Sequence, residues 1–173
     1  THIEIQEIKE GNVPMYIRYP SWATAGATVK INGKNNKISQ KPGSYIVLNK
    51  IWKTGDKIDI TYPMSLHLIA TNDNPSMAAV TYGPIVLAGD MGTEGYEAPG
   101  PNAKDQVDNR KTNAPDNIVT TLNINGRKLH DWLIPVNGKQ LVFKTSGVAS
   151  KEITMIPYYQ IDKQRYVIYW NLK

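Results

Sequence analysis

Val29-Lys30-Ile31-Asn32-Gly33 and, further along, Lys57-Ile58-Asp59-Ile60-Thr61-Tyr62 decide the fold of this chain. In both stretches apolar and polar side chains alternate with a period of two, so each segment turns one face to a core and one to water. Asn32-Gly33 follows the first stretch directly. An Asn-Gly pair tolerates positive φ at both central positions, as a type I′ turn requires, and that turn suits the twist of two antiparallel strands. The same pair recurs at Asn125-Gly126 and Asn137-Gly138, and Met15, Ile17 and Tyr19 share a face with Tyr16 and Arg18 opposite. The pattern predicts an all-β protein built as an antiparallel β-sandwich.

Working outward, no window of a dozen residues keeps a helical apolar spacing, and 13 Gly with 11 Pro interrupt most candidates. Pro14, Pro20, Pro63, Pro84, Pro135 and Pro157 fall at the edges of apolar runs, where they suit strand ends. Closely spaced strand signals from Thr1 to about Gly89 predict a first β-sandwich region over 1–89. Residues 90–117, rich in Gly, Pro, Asn and Asp, read as a long loop or linker. A second β region, 118–173, carries strand signals at 118–125, 140–144, 151–156 and 165–170. In the last of these the alternation groups Tyr166, Ile168 and Trp170 on one core-like face. Thr1-His2-Ile3-Glu4-Ile5 already alternates like a strand, so the chain is expected to belong to something longer.

The 173 residues are 40% hydrophobic, enough to bury a core. The longest apolar runs, such as Ile85-Val86-Leu87-Ala88, are strand-sized and fall far short of the roughly 20 residues of a membrane helix. The net charge of +5 comes from scattered Lys and Arg rather than a basic stripe, so neither nucleic acid nor membrane is an expected partner. Cysteine is absent, which removes disulfides, thiolate metal sites and a Cys nucleophile from these residues.

A search for chemistry returns no complete apparatus. There is no Gly-x-Ser-x-Gly elbow, no phosphate loop and no zinc spacing among the three histidines, His2, His67 and His130. His67 reads as an exposed strand histidine, and His130 beside Asp131 is only a sequence neighbour. Asn72-Asp73-Asn74 and the stretch from Asp105 to Asp116 are oxygen-rich, yet neither ends in the bidentate Glu of a calcium loop, and turn formation explains them more simply. Glu4, Asp59 and Glu152 occupy the polar positions of alternating strands, the ordinary place for solubilising charge. No catalytic residue, metal or cofactor is therefore expected. Aromatic side chains are the remaining lead, because sugars dock on aromatic faces. Trp22 and Trp52 lie near turns and are the candidate ligand-binding residues. Trp132, Trp170, Tyr158, Tyr159, Tyr166 and Tyr169 complete the set, with packing over hairpin ends and in the core as the commoner role of such rings.

Five stretches in order carry a family resemblance. They are Met15-Tyr16-Ile17-Arg18-Tyr19-Pro20-Ser21-Trp22-Ala23, Pro42-Gly43-Ser44-Tyr45, and Trp52-Lys53-Thr54-Gly55-Asp56. Tyr82-Gly83-Pro84-Ile85-Val86-Leu87-Ala88-Gly89 follows, then Met155-Ile156-Pro157-Tyr158-Tyr159 with Gln164-Arg165-Tyr166-Val167-Ile168-Tyr169-Trp170. Together they resemble the C-terminal β-sandwich region of the bacterial glycoside hydrolase family that includes β-L-arabinofuranosidases. The resemblance implies a non-catalytic part that braces an N-terminal (α/α)₆ catalytic barrel of the same polypeptide. The family's cysteine nucleophile and zinc site lie on that barrel and have no counterpart here. The alternative is a carbohydrate-binding module for plant-type glycans, with carbohydrate as a direct partner. A bacterial periplasmic or extracellular setting is favoured over the cytoplasm.

Overall fold

The structure, a computed structural model, describes residues 1–9, 12–94 and 119–173. It is all-β as expected, with antiparallel pairing throughout except for one parallel pair of short strands. The chain divides into two compact units, Thr1–Ser65 and Leu66–Lys173.

The first unit contains β1 (His2–Glu4), β2 (Met15–Arg18), β3 (Thr28–Ile31), β4 (Lys34–Asn36), β5 (Tyr45–Leu48) and β6 (Lys57–Thr61). Four of them form a sheet in the order β1-β6-β3-β4, and β2 pairs with β5 as a two-stranded ribbon. Val29, Ile58 and Ile60 from the sheet join Ile46 and Leu48 from the ribbon in one core with Tyr19 and Trp52, so sheet and ribbon are the two layers of a small sandwich. The alternation read from Lys57 to Thr61 holds: Ile58 and Ile60 are buried while Lys57 and Thr61 face out. Burying each such isoleucine stabilises the unit by about 1.5–3 kcal/mol. Asn32 and Gly33 both adopt positive φ, 51° and 77°, and close the β3–β4 hairpin with Ile31 opposite Lys34.

The second unit contains β7 (Leu66–Ala70), β8 (Met77–Tyr82), β9 (Ile85–Asp90), β10 (Thr121–Leu122), a one-turn helix α1 (Leu129–Trp132), β11 (Leu133–Pro135), β12 (Phe143–Thr145), β13 (Thr154–Pro157), β14 (Tyr166–Val167) and β15 (Tyr169–Leu172). Its sheet runs β10-β15-β8-β9-β13-β12-β11, with β7 on β8 and β14 on β9. One side of β8 serves two neighbours: Met77–Ala79 pair with β15, and Val80–Tyr82 with β9. Where β9 leaves β8, the C-terminal segment enters, pairing first with β9 and then with β8. The core gathers Val80, Leu87, Leu122, Trp132, Leu133, Met155 and Trp170. Trp170 lies so close to β9 that a Cβ on Gly89 would sit 2.6 Å from its ring, which is why glycine occupies that position.

Four expectations are revised. The division falls after Ser65 rather than at residue 89, because β7, β8 and β9 hydrogen-bond into the sheet of the later strands. Close strand spacing alone carries no information about which sheet a strand joins. The expected loop over 90–117 lies outside the described residues from 95 onward. Second, Tyr166, Ile168 and Trp170 do not share a face: the chain steps from β14 to β15 at Ile168, so Val167 and Trp170 enter the core while Tyr166 and Tyr169 face out. Third, Asn125-Gly126 has two positive φ values yet leads into α1, not into a paired hairpin strand, and at Asn137-Gly138 only the glycine is left-handed. Fourth, the strand expected from 140 begins at Phe143, because Leu141 sits at φ 58°.

Candidate functional site

Among the described residues the most perturbed charge is Asp56, at the end of the Trp52-Lys53-Thr54-Gly55-Asp56 turn. Its buried carboxylate accepts hydrogen bonds from Lys50 Nζ at 2.8 Å, Asn32 Nδ2 at 2.7 Å and the Lys53 backbone N–H at 3.0 Å. Those donors, Lys50 foremost, hold its carboxyl far below the usual carboxylate range. Asn32 Oδ1 in turn accepts from the Lys57 N–H at 2.8 Å. A carboxylate held far below the usual range by three donors is ionised near neutral pH and has no proton to give as a general acid there. It fastens the β3–β4 turn to the β5–β6 connection, so its role is structural.

The other titratable candidates are dispersed. His2 Nδ1 meets Asp59 Oδ1 at 2.7 Å on the exposed face of the first sheet. His130 lies 3.2 Å from Asp131 on α1, both well exposed. His67 is half-buried on β7 rather than exposed. Asn72-Asp73-Asn74 belong to the β7–β8 turn, where Asn74 accepts from Met77 and Thr71 through its carbonyl and from the Ser76 N–H through its side chain. The oxygen-rich stretch 105–116 lies outside the described residues. Among the described residues no three His, Asp or Glu side chains gather as a metal site. A groove of about 290 Å³ beside Ile134, Lys144 and Glu152 falls at the small end of ligand pockets, and its two charges pair with each other at 2.6 Å.

The two tryptophans proposed for ligand binding occupy other environments than a platform needs. Trp52 is only 3% exposed: its indole N–H donates to the Val13 carbonyl at 2.8 Å, and Lys50 Nζ lies 5.1 Å from its ring centre. The expectation of an exposed Trp52 is corrected on that ground. Trp22 is half-buried, packed on the first core with an edge-on contact to Tyr62 at 6.1 Å. Trp132 and Trp170 are fully buried.

What stands exposed instead is the outer face of the β2–β5 ribbon. Tyr16 pairs with Val47 and Arg18 with Tyr45, all four outward, with Tyr16 63% exposed. Arg18 lies 5.4 Å over the Tyr45 ring, and its Nη1 donates to the Gly43 and Ser44 carbonyls at 3.0 and 3.3 Å, so the guanidinium is held in place. The Pro42-Gly43-Ser44-Tyr45 stretch builds this anchor: the Gly43 N–H donates to the Tyr19 carbonyl at 2.8 Å and the Tyr19 N–H to the Ser44 carbonyl at 2.9 Å across the ribbon's end. The outer face of the four-stranded sheet is of the opposite character. There His2, Asp59, Lys30 and Asn35 form one cross-strand row and Glu4 pairs with Lys57, a solvated ladder of opposed charges. Tyr16 and Arg18 were legible as outward positions of an alternating strand. Their partners Tyr45 and Val47 were not, because the β2–β5 register joins residues far apart in sequence.

Among the described residues of the second unit the exposed large aromatics are Tyr158, Tyr159, Tyr166 and Tyr169. Tyr158 and Tyr166 have ring centres 5.3 Å apart at 57°, with hydroxyls 3.4 Å apart, and that hydrogen bond pushes the Tyr166 phenol above its ordinary pKa.

Comparison with known proteins decides the relationship. Residues 67–172, more than half of the chain, match the family model DUF4986, described as a domain of unknown function. The chain belongs to that family. Residues 1–64 match the model described as beta-L-arabinofuranosidase, GH127 middle domain, so the family resemblance read from the five motifs holds, with the first unit matching a middle rather than a C-terminal domain. The boundary between the GH127 and DUF4986 matches coincides with the division after Ser65. No curated protein matches the chain. Among solved structures, one described as a glycoside hydrolase aligns over 99% of this chain and 30% of its own, with a TM-score of 0.61 at 18% identity. A GH127 β-L-arabinofuranosidase from Geobacillus stearothermophilus T6 aligns over 99% and 28%, with a TM-score of 0.58 at 18% identity. A further GH127 β-arabinofuranosidase aligns over 95% and 28%, with 0.54 at 15%. At these identities the likeness shows the fold. The chain spans less than a third of the length of these relatives.

Proposed function

We propose that this chain is a non-catalytic β part of a glycoside hydrolase, bracing an (α/α)₆ catalytic barrel carried by the same polypeptide. The observation that carries the reading is the contrast between the two outer faces of the first unit. One bears the ladder of opposed charges that suits water; the other bears Tyr16, Tyr45 and Val47 around an anchored Arg18. Tyrosine and arginine with an apolar neighbour are the residue types enriched in the buried centre of protein interfaces, and exposed apolar patches mark such contacts. The GH127 match over 1–64 supports a glycosidase context, and the dispersed titratable groups support a role without chemistry of its own. The carbohydrate-module alternative loses its platform as first conceived, since Trp52 is buried.

The test is to produce the barrel of the parent enzyme and this chain as separate polypeptides in one cell. The wild-type chain should co-purify with the barrel and raise its melting temperature. Tyr16→Glu/Val47→Glu, which places two carboxylates on the ribbon face, should abolish both effects while leaving the chain folded. A barrel that ignores the wild-type chain, or binds the variant equally, contradicts the reading.

A further inference from the structure

We infer that Tyr158 and Tyr166 form a docking platform for an uncharged saccharide. In the second unit Trp132 and Trp170 are fully buried and Phe143 nearly so, whereas Tyr158 and Tyr166 are exposed. A tyrosine ring exposed singly needs no explanation; these two are exposed in contact with each other.

The pair is built in advance. Pro157, buried at the end of β13, starts a 3₁₀ turn (Tyr158–Gln160) that Ile161 closes by donating to the Tyr158 carbonyl at 3.0 Å. Tyr166 is set by β14, opposite Asp90 of β9. Two independent backbone elements thus hold the rings 5.3 Å apart, so little rotamer freedom remains to be lost on binding. Their 57° inclination makes an open wedge rather than a stack, and the hydroxyls meet at one edge, 3.4 Å apart. Each phenol oxygen keeps hydrogen-bonding capacity after that contact.

That combination selects the ligand class. A sugar ring has an apolar face of C–H groups and an equatorial rim of hydroxyls. It can lie on one ring while its hydroxyls exchange hydrogen bonds with the tyrosine edge. The segment joining the two tyrosines adds the exposed polar side chains of Gln160 and Asp162. The Tyr158 hydrogen bond keeps the Tyr166 phenol above its ordinary pKa and so uncharged near pH 7, and the exposed Asp162 and Lys163 of the joining segment are opposite in sign. The site lies apart in sequence and unit from the β2–β5 ribbon, so it stands or falls separately from the bracing role.

Calorimetric titration of the full chain with neutral arabino-oligosaccharides and xylo-oligosaccharides tests the proposal. Saturable binding is expected with at least one set, weakened about tenfold or more by Tyr158→Ala/Tyr166→Ala. Tyr158→Phe/Tyr166→Phe, which keeps the rings and the packing, should retain part of the affinity, and Tyr16→Ala/Tyr45→Ala should retain all of it. Absence of saturable binding to either set, or binding indifferent to the alanine pair in a chain that still melts cooperatively, overturns it. Loss of barrel co-purification in the tyrosine variants without any saccharide binding would make the patch a protein contact and equally overturn it.

Discussion

Asp56 shows how much a single side chain can hold together in a small sandwich. Its folded-state pKa is depressed, so the stability it contributes is fully present above the unfolded value of about 3.9. That contribution drains away as pH falls below that value toward the folded one. Asp56→Asn should therefore lower the melting temperature of the chain at pH 7 and flatten its dependence on pH below about 5, measured by thermal melts across an acid series. At Gly89 the constraint is space: Gly89→Ala drives a methyl into Trp170 and should cost about 1–3 kcal/mol, read by urea denaturation. Trp52→Ala removes a buried indole and should cost about 3–5 kcal/mol while leaving saccharide titrations unchanged. The sequence marked Trp52 as a turn residue but not as a buried one. The acceptor that holds its N–H, the Val13 carbonyl, is 39 residues away, and no local pattern announces such a partner.

At the scale of elements, alternation and turn chemistry carried most of the first unit. β3 and β6 fall where the period-two stretches place them, because register in a half-buried strand is set by which face is apolar. Gly33, at φ 77°, is the residue that lets β3 and β4 meet, so Gly33→Ala should destabilise the hairpin by about 1–2 kcal/mol, seen as faster amide exchange at Lys30 and Asn35. The second unit was less legible. β10, β14 and the strand starting at Phe143 are short, and their limits are set by tertiary pairing: β14 ends where the chain shifts from β9 to β8, and β12 starts after the left-handed Leu141. A residue inserted into an alternating run inverts every face after it. That is why Trp170 entered the core beside Val167 and not beside Tyr166.

For the molecule as a whole, the informative features are the ones no strand pattern contains. Which strands share a sheet placed the division at Ser65, a boundary that the GH127 and DUF4986 matches repeat. The aromatic face of the ribbon came from pairing Tyr16 with Val47 and Arg18 with Tyr45 across the chain. That the sequence holds no Gly-x-Ser-x-Gly elbow, no phosphate loop and no cysteine, by contrast, is read directly from the residues. We propose that this chain braces a glycosidase without performing its chemistry. The most direct test is the rate at which the purified chain alone hydrolyses an aryl β-L-arabinofuranoside. A rate indistinguishable from buffer is expected. Saturable turnover that follows the protein through successive purification steps would contradict it.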